Sequence, residues 1–372
     1  MSKIKIKKYP IERFPNEKDD KSAYGFKDLW DENSVSKAIK ESKLKGDISN
    51  FILSKLEIHP AGSCNLDCGF CYGKKLAPKK RTDLPLEAIN NLFADIRKNM
   101  PDEEPFIVLS GLYSEPLTHP NIKEILKKIG DYGFRFALYT NGLLIDEEMI
   151  NILLESASKS NMPKPNYISF NISATLDSKK FEEMLSVIQK INKKRTEKHK
   201  LNINAPVIVF PEQRNYNILK KIISKLDKAG TDNVRLSFPW KHRTPKKNRG
   251  YEPISKEEYK KTLEIFELLK KEFRKVKIRY IEEPNGYSRC FALSMALTID
   301  SKGNIYPCPE TAFPFYKKLS YGNITKEKIS KIWHGKKHIN LFKSFNPKME
   351  KCVCCPVDEK FNNLCWKYWK EN

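Results

Sequence analysis

The chain has 372 residues, of which 40% are apolar, and its formal net charge at pH 7 is +23. This length excludes a small disulfide-stapled module and leaves room for two domains, each with its own core. No apolar run reaches the roughly 20 residues of a membrane span, and the opening MSKIKIKKYP lacks a secretory signal. We therefore expect a soluble cytoplasmic protein whose cysteines are metal ligands or reactive thiols.

The excess of 69 basic over 46 acidic residues would suit an anionic partner, such as nucleic acid, a phosphorylated metabolite or an acidic peptide. Lysine, asparagine and isoleucine are spread over the whole length, as in a chain encoded by an AT-rich genome. A solvated basic surface is therefore the competing interpretation, and the sequence favours it over nucleic-acid binding.

The first 50 residues mix charges with scattered aromatic residues, and we expect them to form an arm or cover. From residue 52 onward, strand-like runs alternate with helix-like periodicity, which is typical of repeated βα units and a parallel sheet. A further helix, over about residues 255–274, closes this region. The six predicted strands cover residues 51–60, 106–110, 134–140, 167–173, 201–209 and 233–239.

Polar and apolar residues alternate along the last three of these strands. The polar set is Ser169, Asn171 and Ser173, then Asn202 and Asn204, then Asn233, Arg235 and Ser237. A parallel strand covered by helices on both faces is normally apolar throughout. We therefore expect a curved sheet with helices on one face and a ligand cavity at the other, because a dry interior would leave these groups without partners.

The segment GSCNLDCGFCYG (62–73) places Cys64, Cys68 and Cys71 on a glycine-containing loop after the first strand. Three thiolates at this spacing can bind a [4Fe–4S] cluster and leave its fourth iron without a protein ligand. A structural zinc site would need a fourth ligand, and the nearest candidate, His59, precedes the loop on the strand itself.

The spacing Cys-x3-Cys-x2-Cys, with Phe70 before the third cysteine, resembles the signature of the radical S-adenosylmethionine (SAM) superfamily. LSGLYSEPLTHP (109–120) resembles the family's Gly-Gly-Glu-Pro motif, although Gly111-Leu112-Tyr113-Ser114 replaces the glycine pair. LYTNGLL (138–144) is similar to its Thr-Asn-Gly turn, and ISFNISATLD (168–177) resembles its fourth strand. The resemblance covers about residues 50–240.

This resemblance implies a partial (β/α)6 TIM-like barrel that binds a [4Fe–4S] cluster through Cys64, Cys68 and Cys71. It also implies reductive cleavage of SAM to a 5′-deoxyadenosyl radical that abstracts hydrogen from a substrate. Glu115 would be a catalytic residue and contact the methionine amino group. The other implied SAM contacts are Phe70, Asn141, Asn171, Ser173, Asn204 and Arg235.

Simpler roles remain open for these residues. Glu115 at a helix N-terminus is favoured by the helix dipole alone. Ser173 and the asparagines are equally suited to line a cavity without touching a cofactor. Arg235 is equally suited to pair with another acidic residue on the same face.

A second cysteine group begins at Cys290 and Cys308, which flank a predicted hairpin with SKGN as its turn. Together with the later cysteines, this order is similar to the SPASM and Twitch extensions of radical SAM enzymes. When the two-cluster SPASM pattern is aligned with this chain, Phe361 falls on one of its cysteine positions. The chain also has no cysteine for the last position of the pattern. The resemblance therefore implies one auxiliary [4Fe–4S] cluster, bound by Cys290, Cys308 and two of Cys352, Cys355 and Cys365, with Cys354 spare.

A zinc knuckle is the alternative for the second group, because four cysteines paired across a hairpin and a CxxC suit zinc as well.

Two basic loops, at 73–81 and 241–249, follow predicted strands on the side where barrel active sites lie. There, Lys74, Lys241 and Arg243 are candidates to attract an anionic substrate, or are simply solvated. His334 and His338 are interpreted as surface residues of a helix.

We therefore predict a radical SAM enzyme with an N-terminal arm (1–50), a partial barrel (51–245), a connecting helix and strand (246–284) and an iron–sulfur domain of SPASM/Twitch type (285–372). It would oxidise, epimerise or join atoms in a peptide or a small sugar- or cyclitol-type metabolite. Its electrons would come from a flavodoxin- or ferredoxin-type donor, and no membrane is expected as a partner. The rival hypothesis is a basic, zinc-containing nucleic-acid-binding protein.

Overall fold

We describe a computed structural model of the chain. It describes residues 36–37, 39–40, 48, 51–71, 81–162, 164–176, 179–238, 255–275, 277–281, 289–346, 362, 365–368 and 370. Most of the predicted arm lies outside these residues. The candidates in the two basic loops, Lys74, Lys241 and Arg243, also lie outside the described residues. The same is true of Cys352, Cys354 and Cys355.

The strands, in chain order, are β1 (Lys55–Ile58), β2 (Phe106–Leu109), β3 (Phe136–Thr140), β4 (Asn166–Phe170), β5 (Leu201–Ile208), β6 (Asn233–Ser237), β7 (Lys277–Ile281), β8 (Ala296–Ile299), β9 (Asn304–Tyr306) and β10 (Gly322–Asn323). The helices are α1 (Leu86–Asn99), α2 (Ile122–Asp131), α3 (Glu147–Ser158), α4 (Lys179–Lys194), α5 (Tyr216–Ala229), α6 (Lys256–Glu272), α7 (Ile329–Ile332) and α8 (Lys336–Ser344). In the part of the chain described here, no helix is both long and apolar enough to cross a bilayer.

Two compact units divide the chain. The first comprises Met1–His59, Thr82–Ile107 and Pro284–Asn372, and the second comprises Pro60–Arg81 and Val108–Glu283. Each of the six predicted strands is present, and the helices between them begin at recognisable signals. At α3, for example, the Asp146 carboxylate caps the helix by accepting from the amide of Met149 (2.7 Å).

The second unit contains an open sheet of βα units with the strand order β2-β3-β4-β5-β6-β7. The pairs from β3 to β7 are parallel, which confirms the partial-barrel prediction. Ser169, Asn204 and Asn233 lie in one row across three strands, and the intervening residues Ile168, Ile203 and Val234 are fully buried. The sheet therefore has one polar and one apolar face, as the alternation predicted.

Two details differ from the predicted strands. β4 ends at Phe170, and the chain then turns through a short 3-10 helix, Ile172–Ala174. Asn171 and Ser173 consequently follow the strand rather than continue its alternation. β7 adds a parallel strand next to β6, beyond the six assigned to the barrel.

The first unit contains strands in the order β10-β9-β8-β1, and the boundary between the units falls within β2. β1 and β8 are parallel, whereas β8 and β9 form an antiparallel hairpin. Its turn is held by the Asp300 carboxylate, which accepts from the amides of Lys302 and Asn304 (2.9 Å each). Gly303 has a φ of 80°, a left-handed conformation that favours glycine. The predicted hairpin with the SKGN turn is therefore confirmed.

Candidate active site

Cys64, Cys68 and Cys71 lie on one loop directly after β1, and all are half-buried. The amide of Cys71 donates to the carbonyl oxygen of Cys68 (3.0 Å), which shapes the end of the loop. The amide of Leu66 donates to the Sγ atom of Cys64 (3.5 Å). Hydrogen bonds to sulfur are among the interactions that tune iron–sulfur clusters.

The three thiols are electrostatically coupled. The pKa of Cys68 is raised to about 11, chiefly by burial and then by Cys71 and Cys64, while Lys180 opposes the shift. Burial also raises the pKa of Cys64, and Glu115 and Cys71 add to that shift. Metal binding replaces the thiol protons and offsets the repulsion between thiolates. This loop is therefore suited to a cationic iron centre.

Soft thiolate donors suit iron–sulfur clusters. Among the residues that the structure describes, no three His, Cys, Asp or Glu side chains lie close enough to share one metal ion. In a four-iron cluster, each cysteine binds a different iron atom, and the ligands stand correspondingly farther apart.

Glu115 follows β2 by six residues, immediately before the 3-10 helix Pro116–Thr118, and is only 4% exposed. One carboxylate oxygen accepts from the Thr140 hydroxyl (2.6 Å) and the Leu117 amide (3.2 Å). The other accepts from the amide of Asn141 (2.8 Å). Burial raises the pKa of Glu115, and these three hydrogen bonds oppose the rise. Most of its acceptor capacity is thus used within the protein.

Asn141 is likewise buried and belongs to the Thr-Asn-Gly turn after β3. The turn requires its glycine, because Gly142 has a φ of 78° and an added Cβ atom would approach the Phe170 ring to 2.6 Å. The Thr140 hydroxyl also accepts from the amide of Gly142 (2.9 Å). From this turn, the Asn141 side chain donates through Nδ2 to the side-chain oxygen of Asn65 in the cysteine loop (2.8 Å).

The other five predicted SAM contacts lie in the second unit, and three of them follow strands. Phe70 packs against Phe210, which follows β5, with ring centroids 5.1 Å apart. Ser173 is buried, and its hydroxyl accepts from the amide of Ile208 (2.6 Å). Asn171 is exposed. Asn171 and Ser173 thus lie just after the carboxyl end of β4, and Phe70 contacts a residue just after the carboxyl end of β5.

The remaining two predicted contacts lie within strands. Asn204, in the middle of β5, is 1% exposed, and its side-chain oxygen accepts from the Asn233 side chain (2.8 Å). Arg235 on β6 is half-buried and lies opposite Pro206 of β5. Both belong to the polar face of the sheet.

In the first unit, Cys290 and Cys308 are half-buried, whereas Cys365 is fully buried. The pKa of Cys365 is raised well above its usual range, first by burial and second by Cys290. Cys308 begins a 3-10 helix, and its amide donates to the Thr311 hydroxyl (3.1 Å). Cys290 and Cys365 are therefore close enough to interact although 75 positions separate them in the sequence.

The interpretation of His338 as a surface residue is wrong, because this side chain is fully buried. Its ring stacks on Tyr321 (4.8 Å between centroids) and contacts Trp333 (4.4 Å). Nδ1 accepts from the amide of His334 (3.1 Å), so the proton lies on Nε2, which donates to the carbonyl oxygen of Leu293 (2.9 Å). Burial lowers the pKa of His338 to about 4. His334 precedes α8 and is half-buried.

Residues 58–204 match the family model described as the radical SAM superfamily. The chain contains a radical SAM domain. Residues 290–356 match the model of the SPASM iron–sulfur cluster-binding domain, so the resemblance seen in both cysteine groups is confirmed. The protein is therefore an enzyme whose domains use [4Fe–4S] clusters and SAM.

Among its relatives, this radical SAM enzyme is 22% identical over 301 residues to the tungsten-containing aldehyde ferredoxin oxidoreductase cofactor-modifying protein of Pyrococcus furiosus. That alignment covers 74% of this chain and 79% of the relative. Over 90 residues it is 31% identical to the AdoMet-dependent heme synthase of Methanosarcina barkeri, covering 24% of each chain.

Two solved structures share the fold of this radical SAM enzyme. SuiB of Streptococcus suis bound to SAM has a TM-score of 0.60 at 14% identity, covering 87% of this chain and 75% of SuiB. The structure of anSMEcpe with bound AdoMet and the Cp18Cys peptide has a TM-score of 0.56 at 15% identity, covering 86% and 96%. At these identities, the likeness establishes the fold alone.

Proposed function

We propose that this radical SAM enzyme modifies a peptide, by a reaction that begins with hydrogen abstraction. The supporting observation is that solved structures of the same fold hold peptides, namely SuiA in SuiB and Cp18Cys in anSMEcpe. The chain's net charge of +23 suits an acidic peptide. Whether the outcome is oxidation, epimerisation or bond formation depends on the substrate.

A small molecule is the second candidate. It is favoured by the relative from Pyrococcus furiosus, whose name describes a cofactor-modifying protein and whose alignment covers 74% of this chain. A sugar- or cyclitol-type metabolite belongs to the same candidate. The experiment below separates the two classes.

In this proposal, Cys64, Cys68 and Cys71 hold the cluster that reacts with SAM. When bound and reduced, the cluster would give one electron to the sulfonium of SAM, and breakage of the C5′–S bond would yield methionine and a 5′-deoxyadenosyl radical able to take a hydrogen atom from the substrate. Glu115 contributes its one remaining acceptor site to the methionine amino group. The further SAM contacts that we propose are Phe70, Asn141, Asn171, Ser173, Asn204 and Arg235.

The second cysteine group would hold one auxiliary [4Fe–4S] cluster. Cys290, Cys308 and Cys365 are three of its proposed ligands, and Cys352 or Cys355 is the fourth. The interaction between Cys290 and Cys365 supports this set. A flavodoxin or ferredoxin would deliver the electron for SAM cleavage.

Deuterium transfer tests the proposal. The protein is reconstituted with iron and sulfide without oxygen, given SAM and a chemical reductant, and offered deuterated peptides or deuterated sugars and cofactors. Deuterium that reaches 5′-deoxyadenosine from a peptide, and not with the Cys71→Ser variant, supports peptide modification. Transfer only from the small molecules, or from neither class, contradicts it.

A further inference from the structure

Both residues that flank Cys64 form hydrogen bonds with the segments that follow β2 and β3. On one side, the carbonyl oxygen of Ser63 accepts from the amide of Glu115 (2.8 Å) and from the Thr118 hydroxyl (2.9 Å). On the other side, the side-chain oxygen of Asn65 accepts from Nδ2 of Asn141 (2.8 Å). The first cysteine of the loop is thus held from two directions.

The orientation of the Asn141 amide is fixed by its neighbours. Its oxygen accepts from the amide of Leu143 (3.1 Å), so its NH2 group must point the other way, towards the oxygen of Asn65. Its own backbone amide donates to the Glu115 carboxylate. Two of the three donors to Glu115 come from the turn after β3, and the Glu115 amide anchors Ser63.

We propose that Asn65 is a positioning residue for the first cluster ligand, and that Glu115 acts on the cluster through Asn141 and Asn65. This inference rests on the proposed role of Cys64 as a ligand. A thiol fixed before iron arrives loses less conformational freedom when the cluster binds, and outer-shell partners orient metal ligands in this way. Asn65 itself is exposed, so it can be changed without disturbing the core.

The test uses the full-length protein with reconstituted clusters and without SAM. Asn65→Ala should lose iron to a chelator about threefold to tenfold faster than the parent protein, the range that one net hydrogen bond supplies. The electron paramagnetic resonance (EPR) spectrum of the reduced cluster should also change. Asn65→Asp keeps the acceptor for Asn141 and should restore both properties. Asn217→Ala, at an exposed asparagine on α5, is the matched control and should behave as the parent.

A double-mutant cycle with Asn141→Ala checks that the two residues act together. Because Asn65 and Asn141 form one link, the double variant should lose iron no faster than the worse single variant. Parent-like iron loss and an unchanged spectrum for Asn65→Ala would overturn the proposal. So would Asn65→Asp behaving as Asn65→Ala, or two fully additive effects. None of these measurements needs SAM cleavage, so failure of the proposed function is seen separately.

Discussion

The two cysteine regions are supported in different ways. The first loop is half-buried and is anchored by side-chain and backbone hydrogen bonds to the ends of β2 and β3. The second region is anchored within the core of its own unit: Cys365 and Phe291 are fully buried, and the Asn362 side chain accepts from the amide of Phe291. An accessible cluster must admit SAM, whereas an auxiliary cluster can be enclosed. Hydrogen bonds between distant residues thus hold both regions, and the second region differs in having one fully buried cysteine, Cys365, beside two half-buried ones.

The largest effect should come from removing one ligand in each region. Cys68→Ser should lose the iron and sulfide of one cluster, and Cys308→Ser those of the other, because each cluster depends on its own thiolates. Iron and sulfide content after anaerobic reconstitution measures this. The comparison fails if either variant retains the full iron content or if one substitution empties both sites.

Acid should weaken the second region through His338. Its pKa falls from 6.5 to about 4 on folding, so its contribution to stability is complete above pH 6.5 and is lost as the pH falls through the interval to about 4. The loss is roughly 3 kcal/mol of unfolding free energy, because one pKa unit corresponds to about 1.4 kcal/mol.

Urea unfolding at several pH values, for the parent and for His338→Gln, isolates this contribution. The difference in stability between the two proteins should shrink as the pH falls from 6.5 to about 4. A difference that stays constant over that interval would show that His338 is not held neutral.

Glu115→Gln should destabilise the second unit by about 2 kcal/mol, because the amide replaces one acceptor oxygen with donors that face other donors. The three donors are the Leu117 and Asn141 amides and the Thr140 hydroxyl. Thermal unfolding of the protein without clusters measures the effect. Glu183→Gln, at an exposed position on α4, is the control, and equal stability of the two variants would contradict the assigned role of Glu115.

A smaller effect should follow from Asp95→Ala in the first unit. The Asp95 carboxylate on α1 caps α7 by accepting from the amide (2.8 Å) and hydroxyl (3.0 Å) of Ser330, and loss of a cap costs about 1 kcal/mol. Burial alone would raise the pKa of Asp95, but the bonds from Ser330 and Asn99 lower it overall.

This contribution is therefore present above the carboxyl's unfolded pKa and is lost as the pH falls through its folded value. Urea unfolding of Asp95→Ala and the parent should differ at neutral pH and converge in strong acid. A stability difference between Asp95→Ala and the parent that persists in strong acid would contradict capping by the ionised Asp95 carboxylate.

Local patterns were sufficient to predict much of this molecule. The cysteine spacing, the Thr-Asn-Gly turn and the alternation in β5 and β6 each depend on residues close together in the chain. Gly142 and Gly303 have the positive φ angles that such turns require. These features determine the strands, the hairpin and the position of the cysteine loop.

The features that the sequence did not reveal depend on contacts between distant segments. Asn65 bonds to a side chain 76 positions away, and nothing in CNLDC marks it. His338 carries no signal of burial, because its partners Tyr321 and Leu293 come from other elements. β4 ends at Phe170, and the Ser173 hydroxyl accepts from the amide of Ile208 on the next strand, a contact that periodicity within one strand cannot show.

The most direct test of the account is the formation of 5′-deoxyadenosine by anaerobically reconstituted, chemically reduced protein supplied with SAM. The account predicts 5′-deoxyadenosine and methionine in equal amounts from the parent and none from Cys64→Ser, whose cluster lacks its first ligand. A parent protein that holds a full first cluster and yet leaves SAM intact, or a Cys64→Ser variant that cleaves SAM as the parent does, would contradict it.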